Sequence, residues 1–204
     1  MSPETVIATL SVITTAGVAG AGFLLERRWR KSDQRRQALH QSTEARGTVV
    51  AMLSDLTSGE VEEARHLVGT LRYGSSVGHE PTEQDVTRAC YRLIWAIERT
   101  GAATLAIEGL DIAVVKDART TQLQWHLAEI IRNAELLSAA LAIDDDMAAA
   151  RREEIVAQFE SWGNGKSKKL QPNVDSDDFR NDLVKLKTRL SVLGIPVRWD
   201  NARP

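Results

Sequence analysis

Cysteine is nearly absent from this sequence: Cys90 stands alone among 204 residues. One thiol forms no intrachain disulfide, and no Cys–His grouping here has zinc spacing, so packing has to hold the fold, as suits a reducing compartment. Aromatic residues are scarce as well, and no useful length of chain alternates apolar and polar residues in the period of two that a half-buried strand needs. What remains is rich in alanine and leucine, with apolar residues at helical spacing. The expected fold class is all-α.

The third thing missing is charge, over one stretch only. From Thr5 to Leu25 the run TVIATLSVITTAGVAGAGFLL holds 21 residues and no charged side chain. As a helix it would be about 31 Å long, close to the hydrocarbon thickness of a bilayer. Its hydroxyl residues, Thr5, Thr9, Ser11, Thr14 and Thr15, can bond back to their own helix carbonyls in lipid. A cleaved signal peptide would need a positive flank in front, where only Glu4 stands. An amphipathic surface helix would need a charged face. A buried core helix is the remaining rival, but a charge-free one of this length at a terminus is unusual. An N-terminal single transmembrane helix is therefore expected. Within it Ala16 with Gly20, and Gly17 with Ala21, place small residues four apart, a spacing that lets two helices approach closely and points to a homo-oligomer through the span.

Charge then returns abruptly. Glu26–Arg36 carries six basic residues against two acidic ones. Basic residues next to a span stay on the cytoplasmic side, and they lie only on its carboxyl side here. The reading is a single-pass protein of the cell membrane, N-terminus outside and C-terminal domain cytoplasmic. Arg27, Arg28, Trp29, Arg30 and Lys31 form its membrane interface, with the indole at headgroup depth and the cations toward anionic lipid. The whole chain has a formal charge of -2, so with that segment and Glu4 set aside residues 37–204 carry -5. Such a domain lacks the basic footprint that phosphates demand, and no nucleic-acid partner is expected.

The chain then divides into an anchor (1–25), a basic juxtamembrane segment (26–36), a helical bundle (37–162), a linker (163–175) and a C-terminal helix and tail (176–204). Five or six cytosolic helices are expected. The first places Leu39, Val49, Val50, Leu53 and Leu56 at roughly helical intervals, with Gly47 as a weak point. TSGE at Thr57–Glu60 reads as a capping box opening a second helix that stops near Gly74. After a loop, Thr82 caps a helix over Glu83–Thr100, whose stripe is Val86, Ala89, Cys90, Leu93, Ile94 and Ile97, and Gly101 is expected to end it. Tyr91, Trp95 and Glu98 follow on an adjoining face, so Trp95 is expected to pack at the margin of the core. A long helix covers Ala118–Leu141, and the stretch AATLAIEGLDIAVV before it is ambiguous. Asp144–Asp146 opens another, packed by Ile155, Val156, Phe159 and Trp162. The last runs over Ser176–Leu193, closed by Gly194 and Pro196.

No constellation for catalysis, cofactor or metal emerges. GNGKS at Gly163–Ser167 is half of a phosphate-binding loop: Glu160 stands where the first glycine belongs, and a helix precedes it instead of a strand. His40, His66, His79 and His126 make no ligand pair, and consecutive aspartates on a helix point about 100° apart. His79 and Glu80 in a loop lack a nucleophile, and Cys90 lies on an apolar face. One surface stands out. Arg65, Arg72 and Tyr73 on one helix, with Arg88, Arg92 and Trp95 on the next, form a basic-aromatic mixture suited to an anionic ligand or an acidic helix of a protein partner. Surface salt bridging to Glu62, Glu63 and Glu98 is the competing use of those cations.

The stretches EEARHLVGTLRYG and YRLIWAIERTGAATLAIEGL, about a sixth of the chain, resemble uncharacterised bacterial single-span membrane proteins with a helical cytosolic domain of unknown function. The resemblance implies anchoring and an α-helical fold and transfers no site. The function expected is a membrane-tethered interaction or adaptor module. The rivals are an oligomerising membrane effector acting through its span and an enzyme with an unrecognised site.

Overall fold

The computed structural model describes residues 30–31, 33–74, 80–106, 118–143, 146–161, 170 and 176–198. Among them the chain is all-helical: α1 (33–56), α2 (Gly59–Tyr73), α3 (Glu83–Ala106), α4 (Ala118–Leu141), α5 (Asp146–Ser161) and α6 (Asp177–Val192), with no strand. Two compact units are formed, Met1–Glu44 and Ala45–Pro204. The described part of the first is helical, with Arg30, Lys31, Arg35 and Arg36 exposed. The second holds the core.

Helix α3 is the centre of that core. It packs against α2, α4 and α5, while α6 packs against α2 and α4. All six residues of the expected α3 stripe are buried, and they meet Leu123, Leu127, Ile130, Ile131, Ala134 and Leu137 of α4 in one apolar cluster. Those two stripes repeat at three and four residues, which is why each helix turns a continuous apolar face to its neighbours. Helix α1 joins with Ala45, Val49, Met52 and Leu56, while Val50 is exposed, since it lies off that 4-3-4 line, and Leu39, in the first unit, is exposed as well. Leu170 is fully buried in the same cluster, as are Phe179, Leu186 and Leu190 of α6. The C-terminal helix thus shares the core of the others.

Helix ends follow local chemistry in three places. Thr82 Oγ1 accepts from the Asp85 N–H at 3.3 Å, and Asp85 Oδ2 accepts from the Thr82 N–H at 3.0 Å, a reciprocal cap at the start of α3. Ser176 Oγ accepts from the Phe179 N–H to start α6. At its other end Gly194, at φ 72°, turns the chain so that the Ile195 N–H reaches the Leu190 carbonyl and the Gly194 N–H that of Ser191, the Schellman pattern. The box expected at Thr57–Glu60 does not form. Thr57 Oγ1 donates to the Leu53 carbonyl at 2.8 Å and is used up finishing α1, leaving Ser58 as an N-cap without a side-chain bond.

Gly101 does not end α3, which continues to Ala106. It is buried because α5 comes close: a Cβ there would stand 1.9 Å from Arg151 Cδ and 2.3 Å from its Cγ. A Cβ on Gly69 in α2 would meet none of the described residues within 4 Å. The two glycines should therefore respond oppositely to one substitution. Gly69→Ala should stabilise by about 0.5–1 kcal/mol through helix propensity. Gly101→Ala should destabilise by about 1–2 kcal/mol, overpacking outweighing that gain. Thermal melts of the two variants check the pair, and equal shifts would refute the close approach.

Candidate functional site

One surface feature of the described residues is the outer side of α3. Residue 95 is about 100° round the helix from Ile94 and about 200° from Ile97, and with both of those buried it must face outward. Trp95 is 57% exposed and Tyr91 40%. The core-margin position expected for Trp95 is thus corrected: Leu93, Ile94, Ala96 and Ile97 fill the inward sector without it. The two rings stand together, centroids 6.2 Å apart and planes at 34°. An open hollow of about 700 Å³ runs along the first turns of the helix, lined by Gln84, Thr87, Arg88, Tyr91 and Trp95 among others. Arg88 is half-exposed and, among the described residues, held by a 3.9 Å ion pair to Asp85 one turn before it.

Of the six residues expected to form one basic-aromatic surface, Arg88 and Trp95 share this hollow. The other cations tie helices together. Arg92 bonds Glu63 of α2 at 3.0 Å. Arg65 pairs with Glu129 and lies 3.4 Å from His126 Nδ1, both on α4. Arg72 reaches Asp182 of α6 and also covers the exposed Tyr73 ring, 5.0 Å from its centroid. Tyr91, outside the expected set, belongs to the site. Its four-residue spacing from Trp95 was the signal, since such pairs touch on a helix.

Asp182 is a junction. It accepts from Arg72 and, at 2.8 Å, from Arg132 of α4, whose guanidinium also lies 5.9 Å from the Phe179 ring centre. Burial raises its carboxyl pKa, but hydrogen bonding and charge from Arg132 and Arg72 outweigh that and hold it below the ordinary carboxylate value.

Among the described residues, no group of three or more His, Cys, Asp or Glu is placed to hold a metal ion. Cys90 is buried, its Sγ 3.5 Å from Ser138 Oγ. His79, Asp144, Asp145, Trp162 and the GNGKS segment lie outside the described residues. So do Arg27, Arg28 and Trp29 of the expected interface and Ala16, Gly17, Gly20 and Ala21 of the expected span, whereas Arg30 and Lys31 are helical and exposed. No helix among the described residues is long and apolar enough to cross a membrane, and Thr5–Leu25 is not among them.

Compared with known proteins, the chain matches no family model, no curated protein and no solved structure.

Proposed function

We propose that the chain is a membrane-tethered helical interaction module facing the cytosol. The observation that carries the interaction half is the exposed Tyr91–Trp95 pair beside Arg88, on a helix held in the core by three others. Tyrosine, tryptophan and arginine are the residues that dominate binding energy at protein interfaces, and a rigid helix presents them at little entropic cost. The tether half rests on the charge-free run Thr5–Leu25 and the basic residues that follow it.

The two halves are tested separately. Capture from detergent-solubilised membranes should retain a partner on the wild-type chain and lose it, at least about 30-fold, on the Tyr91→Ala/Trp95→Ala double variant, whose melting temperature should stay near wild type because both rings are outside the core. Equal capture by both chains would refute this face. A reporter fused after Pro204 should be active only if it functions in the cytosol. Activity of a secretion-dependent reporter there would overturn the topology.

A second reading, an oligomerising effector acting through its own span, is favoured by the small residues at Ala16, Gly17, Gly20 and Ala21. Deleting the span would abolish its action on the membrane and leave the α3 face able to bind.

A further inference from the structure

The outer face of α3 has a stricter pattern than a patch of aromatics. Gln84, Arg88, Tyr91, Trp95, Glu98 and Ala102 follow one another at alternating steps of four and three. That is the spacing of a coiled-coil seam, and α3 already uses a different line of residues for its own core. All six are exposed except Glu98, which is a quarter exposed.

We infer that this seam pairs with the same seam of a second copy of the chain, antiparallel and about a two-fold axis near position 93. The proposal rests on the reading of the chain as an interaction module and names its partner. Its basis is charge complementarity within one helix. In antiparallel pairing residues face each other at a constant sum of positions. At the register that sets Tyr91 against Trp95 of the second copy, Arg88 faces Glu98 and Gln84 faces Ala102, each twice by symmetry. Both charges are underused within the chain. Among the described residues Arg88 pairs with Asp85 alone, at 3.9 Å. Glu98 bonds Arg151 through Oε2 only at 3.4 Å, and a quarter of its side chain stays open to a second copy. A parallel pairing would instead set Arg88 against Arg88 and Glu98 against Glu98, which like charges disfavour.

The seam from Gln84 to Ala102 is about 27 Å long, so a strip about 10 Å wide is well short of the roughly 800 Å² per partner of a standard stable interface. Pairing in free solution is accordingly weak. Two chains held in one membrane meet at a far higher effective concentration, which is where this surface operates.

The test is cysteine crosslinking of full-length chains, co-expressed in one membrane with different tags and treated with a short bismaleimide. Gln84→Cys is placed on one chain and Ala102→Cys on the other. Both sites are exposed, neither makes an ion pair, and native Cys90 is buried. Crosslinked dimer should form in the mixture and stay at the wild-type background when either variant is expressed alone. Adding Arg88→Glu to both chains should lower the yield about ten-fold by facing Glu98 with a like charge. Crosslinking of each variant with itself would overturn the antiparallel register, and no crosslink in the mixture would overturn self-pairing. Capture by the Tyr91–Trp95 face would then still report on a different protein, so failure of this inference is distinguishable from failure of the interaction reading.

Discussion

Replacing Asp182 by Ala should cost about 2–4 kcal/mol and leave the bundle only marginally folded. The carboxylate is the common acceptor of Arg72 and Arg132, so its loss strands two guanidinium groups at once. The Asp182 and Arg72 side chains are only 13% and 12% exposed, and water cannot replace the lost partner in full. Asp182→Asn keeps shape and one acceptor, and should fall between wild type and Asp182→Ala. The pH dependence has a definite sign. Because the folded carboxyl lies below its ordinary value, the unfolded chain takes up this proton first as pH falls. The contribution is complete at neutral pH, declines through the ordinary carboxylate range around pH 4, and is gone once the folded group protonates below that. Denaturant melts of wild type and Asp182→Asn across this range check it, the variant losing less stability on acidification. A steeper acid loss in the variant would refute the assignment.

The second large effect is expected at Leu170. Its side chain is fully buried in the main cluster, so Leu170→Ala should cost about 2–5 kcal/mol, the range for removing a buried leucine side chain. Circular-dichroism melts read this directly. A change under about 0.5 kcal/mol, the usual outcome at solvated positions, would show that the segment does not hold the core.

Leu170 also marks where sequence reading runs out. Set among GNGKSKK and QPNVDSDD, it is one of two apolar side chains, with Val174, in a polar stretch, and no periodicity distinguishes an anchor from a spacer. Where a signal is local and repeated, it is legible. The bounds Ala118–Leu141, the cap at Thr82, the stop at Gly194 and the six-residue stripe of α3 all follow from spacing or one-turn hydrogen bonding. Gly101 misleads because its reason is Arg151, fifty residues away in the sequence, and a glycine needed for close approach looks the same as one that ends a helix. Trp95 misleads for a related reason. A helical wheel tells which residues are neighbours, but only the number of helices packed around α3 decides which sector is left to solvent. Arg72 appears on the wheel as a surface cation, and its partner is 110 positions further along.

That last separation has a consequence for how the chain is made. Arg72 and Arg132 leave the ribosome well before Asp182, and the Arg198 N–H that bonds the Ala140 carbonyl at 3.0 Å follows later still. At synthesis rates of about 5–20 residues per second, α2 and α4 wait several seconds for the helix that completes them. During that interval the sides of α2 and α4 that α6 will cover stay open to solvent and to other apolar surfaces. A message cut short before codon 176 would make that exposure permanent, turning a transient of synthesis into a substrate for chaperones and proteases.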